Sequence, residues 1–232
     1  MYRNKNHEVI PKQQRKIKPT RRSVSGMFPF RGHTPVAFES TLERDFLILT
    51  EFSMVVLDII PQPAEIPFKG LDGRNYSYTP DFLVYYYLGE QSYKNYPRPR
   101  LVEVKPEEHW RAHWREWLPK WKAAWRYAQT QGWEFHIHDE SRIRNEALKN
   151  IRTLARYKNT HFELSESERI LATVREVGSA SVDYLLSRLF LGMYRPQGIA
   201  HIWHLVAIRQ LDCDISQPLT MNTELWVTSD DR

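Results

Sequence analysis

Two short apolar segments carry charge where a buried strand should carry none. In Tyr78-Thr79-Pro80-Asp81-Phe82-Leu83-Val84, Asp81 stands at the mouth of a run of branched and aromatic residues. In Leu101-Val102-Glu103-Val104-Lys105, two charges lie two residues apart. Both segments read as strands by composition, and strand alternation puts Glu103 and Lys105 on one face. Burying three such charges is too costly unless they pair with one another or hold a metal. Hard carboxylate oxygens favour Mg2+ or Mn2+ over zinc. Held in this way, divalent ions activate water, neutralise a pentacoordinate phosphate and stabilise the leaving oxygen. Metal-assisted phosphodiester hydrolysis is therefore the chemistry to test against the rest of the chain.

The surrounding segments must position these groups. Phe38 to Leu49 reads as a helix, with Ser40 or Thr41 able to cap it and Leu42, Phe46 and Leu49 as its buried stripe. Glu43 borders that stripe; it is either a solvated first-turn acid that favours the helix dipole or a further carboxylate aimed at the sheet. Met54 to Ile60 is a strand ended by Gln62-Pro63, and Ile66-Pro67-Phe68 starts a second. Turn residues follow, and then Tyr76 to Leu88 reads as one strand containing Asp81. A polar loop, 89–100, precedes Leu101 to Lys105, which Pro106 stops.

Beyond Pro106, Trp110, Trp114, Trp117, Trp121 and Trp125 repeat at helical spacing. Pro119 predicts a kink or two consecutive helices. The stripe reads as packing against the sheet rather than as a nucleobase-stacking platform, with Arg111, Arg115, Lys120, Lys122 and Arg126 on wet faces. Gly132 ends the helix, and Trp133 to Asp139 is a strand whose His136 and His138 read as edge-strand histidines rather than metal ligands. Ser141 to Tyr157 is a linking helix. Helices starting at Ser165-Glu166-Ser167-Glu168, at Ser179 and at Gln197, then a hairpin within 210–227, give the order of a winged helix.

The order helix, strands, helix, strand, together with Pro-Asp and Glu-x-Lys, resembles the PD-(D/E)xK nuclease core. The fold expected is α/β: a restriction-endonuclease-like mixed sheet flanked by helices, followed by a small winged-helix-like C-terminal domain. The divisions expected are a basic flexible arm at 1–25, a catalytic domain at 26–145 and the C-terminal domain at 146–232. The likeness extends further. Phe38 to Phe46, Gln62-Pro63, Tyr78 to Phe82 and Val102 to Pro106 together resemble the TnsA endonuclease family of heteromeric transposases. That resemblance implies cleavage of the 5′ strands at transposon ends in double-stranded DNA. It also implies TnsB, which cuts and joins the 3′ ends, as the partner transposase, and the AAA+ ATPase TnsC docked to the C-terminal part. Carried over residue by residue, the catalytic set is Glu43, Asp81, Glu103 and Lys105. Glu43, Asp81, Glu103 and the Val104 carbonyl would hold two Mg2+ or Mn2+ ions, and Gln62 would support them. Two other readings compete: a free-standing restriction- or repair-type nuclease with the same core, and a non-catalytic DNA or adaptor module.

Composition narrows the class further. The chain is 232 residues long, and 41% hydrophobic with 26% charged residues is a globular balance. No apolar run approaches the ~20 residues that span a bilayer, so a membrane partner is not expected. Cys213 is the sole cysteine, which fits a reducing compartment, the bacterial cytoplasm. The net charge of +5 is unevenly spread. Arg3, Lys5, Lys12, Arg15, Lys16, Lys18, Arg21 and Arg22 face Glu8 alone in the first 25 residues, which suits phosphate contacts on nucleic acid.

Overall fold

In the computed structural model, residues 24–32, 34–88 and 96–228 are described. The chain divides into two compact units with the boundary between Ile143 and Arg144.

The first unit is built on a four-stranded sheet. Its strands are β3 (Val56–Pro61), β6 (Phe82–Tyr86), β7 (Arg100–Val104) and β8 (Glu134–His138), ordered β3-β6-β7-β8. The first two pairings are antiparallel and the last is parallel. Two hairpins flank it: β1 (Gly26–Phe30) with β2 (Thr34–Phe38), and β4 (Ile66–Lys69) with β5 (Asn75–Tyr78). Strand alternation divides the core in two. Phe82, Val84, Val102 and Val104 join Leu42, Phe46 and Leu47 of α1 (Thr41–Phe52). Leu83 and Leu101 join Trp121, Ala124 and Ala128 of α2 (Glu107–Thr130). Each such large side chain contributes about 1.5–3 kcal/mol on burial. Together they press a helix against each face of the sheet.

Several local expectations are corrected. Phe38 closes β2 rather than opening the helix, because Ser40 caps α1 and its Oγ accepts from the Glu43 N–H. Tyr76 to Leu88 is two strands: Pro80, which cannot donate to a ladder, separates β5 from β6 and leaves Asp81 in the bend. The helix α2 runs unbroken through Pro119. The carbonyl that loses its partner there belongs to Arg115, in an exposed stretch where water can satisfy it. The tryptophan stripe is only partly core: Trp121 is buried, whereas Trp114 and Trp125 are 46% and 54% exposed. Ser141 to Tyr157 breaks into α3 (Glu140–Ile143), α4 (Glu146–Leu154) and a 3-10 turn, with Asn145 capping α4.

In the second unit α4 is followed by α5 (Leu164–Val177), β9 (Ala180–Ser181), α6 (Val182–Leu189), α7 (Arg195–Ala207), β10 (Leu211–Asp212) and β11 (Glu224–Val227). The three strands form one sheet ordered β10-β11-β9. The Ser165 to Glu168 stretch lies inside α5, whose N-cap is Glu163 with no side-chain cap. Among the described residues, no helix is long and apolar enough to cross a membrane.

Candidate active site

The antiparallel register of β6 and β7 pairs Phe82 with Val102. One step further, Asp81 comes opposite Glu103. Its Oδ2 accepts from the Val104 N–H at 2.8 Å, and its carbonyl accepts from the Gln62 N–H at 2.8 Å. Gln62 adopts a left-handed φ of 47° there. This positive φ turns the chain at the end of β3, so its backbone reaches Asp81.

Glu103 follows Leu101 by two residues and so faces the α2 side of the sheet, 1% exposed. Lys105 Nζ lies 3.4 Å from Glu103 Oε1 and 3.7 Å from Asp81 Oδ2. Glu43 is buried at the start of α1 in a reciprocal cap: its Oε1 accepts from Ser40 Oγ at 2.9 Å and its Oε2 from the Glu39 N–H at 2.7 Å. It interacts electrostatically with both Asp81 and Lys105. The four groups singled out from the sequence thus share one electrostatic neighbourhood.

Their titration reflects that crowding. Burial, and then the Asp81 charge, raise Glu43 from 4.5 to about 7 against the hydrogen bonds from Glu39 and Ser40. Burial and Asp81 likewise raise Glu103 to about 7, opposed by Lys105, the Tyr78 hydroxyl and Lys120. For Lys105, burial works against the charge, but Asp81, Glu103 and Glu43 outweigh it and hold the ammonium protonated beyond its ordinary range.

Two residues of this neighbourhood were not singled out from the sequence. The Tyr78 hydroxyl donates to Glu103 Oε2 at 2.5 Å. Lys120, expected on a wet face of α2, has a side chain only 17% exposed, with Nζ 3.9 Å from Glu103 Oε1. The one available signal was its place in the tryptophan stripe, between Trp117 and Trp121.

The donor chemistry suits a hard divalent cation. Glu103 Oε1 and Gln62 Oε1 are buried without a hydrogen-bond partner among the described residues. As the side chains stand, no three His, Cys, Asp or Glu groups among the described residues converge on one point fit for an ion. Both oxygens of Glu43 are committed to its cap, so direct ligation would fall to Asp81, Glu103 and a backbone carbonyl such as that of Val104. The His138 carbonyl accepts the Lys105 N–H at 3.0 Å, but register with Val102 and Val104 puts the His136 and His138 side chains on the α1 face, away from Glu103: His136 bonds Glu134 at 3.1 Å, His138 meets the Phe46 ring, and burial lowers His138 to about 4. The basic residues Lys12, Arg15, Lys16, Lys18, Arg21 and Arg22 lie outside the described residues.

Two family models match the chain in succession: TnsA-like endonuclease N terminal over residues 53–140, and TnsA endonuclease C terminal over residues 142–215. Asp81, Glu103 and Lys105 fall inside the first match, and Glu43 just ahead of it. A comparison with curated proteins finds no match. With both halves matched in order across residues 53–215, the chain belongs to the TnsA endonuclease family.

Proposed function

We propose that this chain is the metal-dependent endonuclease subunit of a transposase, hydrolysing the 5′ strands at the ends of its element together with TnsB and the AAA+ regulator TnsC. The observation that carries the reading is the sharing of one ammonium, that of Lys105, by Asp81 and Glu103 at 3.7 and 3.4 Å, beside a buried Glu43. Membership of an endonuclease family gives that cluster its reaction class.

Asp81, Glu103 and the Val104 carbonyl would hold Mg2+ or Mn2+, which would activate the attacking water and neutralise charge on the phosphate. Lys105 is too firmly protonated to serve as a base at neutral pH. It acts instead as a fixed donor and counter-charge to the transition state. Glu43, locked by Ser40 and the Glu39 N–H, orients a water rather than ligating directly. Tyr78 fixes the Glu103 carboxylate, and Asp81 is held by two backbone N–H donors, that of Val104 to its carboxylate and that of Gln62 to its carbonyl.

In the second unit, the order α5, β9, α6, α7, β10, β11 supports a winged-helix reading and a docking role for TnsC. The basic residues between Lys12 and Arg22 supply a phosphate-binding arm.

The test is cleavage of a duplex bearing the ends of the element, with TnsB, TnsC and Mg2+ or Mn2+ present. Breaks confined to the 5′ strands, absent in EDTA and in Asp81→Asn, are expected. Equal products from wild type and Asp81→Asn would refute the site.

A further inference from the structure

The ammonium of Lys120 is partly buried and carries three donors, yet it makes no hydrogen bond among the described residues. It sits over the rings of Trp117, Tyr78 and Trp121 at 4.4, 5.1 and 5.9 Å. The carboxylate oxygen nearest to it, Glu103 Oε1, is 3.9 Å away, beyond hydrogen-bond distance. Aromatic faces hold a cation in place without consuming its N–H groups. If the position served packing alone, a leucine or methionine would fill it without the desolvation cost of a charge. An ammonium caged by three rings and ion-paired with an active-site carboxylate at 3.9 Å instead keeps its N–H donors open to a further acceptor.

We infer that Lys120 is a phosphate-contacting residue of the DNA site, its aromatic cage presenting the ammonium to a non-bridging oxygen of the scissile phosphodiester. This inference rests on the endonuclease reading but assigns a residue that the Pro-Asp and Glu-x-Lys pattern does not contain.

Full-length wild type, Lys120→Met, Lys120→Gln and Lys120→Arg are titrated with a double-stranded oligonucleotide in Ca2+ over a series of salt concentrations. They are also assayed for cleavage in Mg2+ with TnsB and TnsC. Loss of one phosphate contact lowers the slope of log affinity against log salt by about 0.9. Met and Gln should both show that loss, with turnover reduced about 100-fold, and Arg should restore the slope. An unchanged slope in whichever neutral variant melts as wild type overturns the inference, as does an unchanged cleavage rate. The Asp81→Asn control separates the two ideas: if it cleaves like wild type, the endonuclease site is wrong; if it is inactive while Lys120→Met is normal, only the assignment of Lys120 fails.

Discussion

The carboxylate of Asp81 accepts the backbone N–H of Val104 at 2.8 Å, so the acid in the bend before β6 is tied to the last residue of β7. Asparagine keeps an acceptor oxygen at this position and loses only the charge; alanine also strands a buried N–H. Asp81→Asn is expected to melt within about 1 kcal/mol of wild type, and Asp81→Ala about 1–3 kcal/mol lower. Both should abolish strand cleavage. Thermal melting beside a cleavage assay checks this. Cleavage by Asp81→Asn at the wild-type rate would remove Asp81 from the site.

Glu43 and Glu103 make the metal-free protein sensitive to pH. Both titrate near 7 when folded, against 4.5 for the ordinary carboxyl. Between these values the native chain holds protons that the unfolded chain has released. The stability these groups contribute is therefore full below about pH 4.5 and is lost as pH rises through about 7. Glu103→Gln mimics the protonated form at every pH. In EDTA, the melting temperature of Glu103→Gln relative to wild type should climb between pH 5 and pH 8. The climb should be at least about 2–4 °C, the response of a chain this size to about 1 kcal/mol. A difference that stays flat with pH would mean that Glu103 is not pushed up by burial and Asp81.

How much of this was legible in the sequence depended on where the information lay. Asp81, Glu103 and Lys105 stood out because charge inside apolar strands has few explanations; Ser40 or Thr41 marked the start of α1, but only the structure selects Ser40 and shows it holding Glu43. The break at Thr79-Pro80 was equally readable, since proline cannot sit inside a ladder, but the strand-forming aromatic and branched residues on both sides masked it. Lys120 was not readable by charge: Arg111, Arg115, Lys122 and Arg126 surround it in sequence, and only the seating of α2 on the β7 face separates it from them. The same seating leaves Trp114 and Trp125 exposed, although their spacing matches that of Trp121. Periodicity shows which residues share a helix face, not how far along the helix the sheet extends.

Gly198 in α7 meets Phe190 so closely that an added Cβ would stand 2.4 Å from the ring Cγ and 2.8 Å from the Phe190 Cβ. Ordinarily glycine to alanine within a helix gains about 1 kcal/mol. Here the colliding atoms lie near the backbone and cannot swing away, so overpacking of about 1–3 kcal/mol prevails. Gly198→Ala should lower the unfolding midpoint in urea. A more stable variant would show that Phe190 gives way.

Deleting residues 1–22 tests the basic arm independently of the cluster. Eight cations leave with one acid, and each phosphate contact among them contributes about 0.9 to the salt slope. Weaker binding to duplex DNA with a shallower slope is expected, while cleavage at saturating DNA stays near wild type. An unchanged slope would make the arm a bystander.

Ser40 carries two roles that substitution can separate. Its Oγ accepts the Glu43 N–H at 3.1 Å as the cap of α1, and it donates to Glu43 Oε1 at 2.9 Å. As a cap, alanine costs about 1 kcal/mol and glycine only a few tenths. As a clamp on Glu43, the two are equally deficient, because neither has a hydroxyl. If the orientation of Glu43 matters to the reaction, Ser40→Gly should melt close to wild type yet cleave as slowly as Ser40→Ala, about tenfold below wild type, the scale of one lost hydrogen bond of about 1.4 kcal/mol. Ser40→Thr, which keeps the hydroxyl, should recover both properties. If activity instead follows stability across the three variants, Ser40 serves the helix alone and Glu43 needs no help from it.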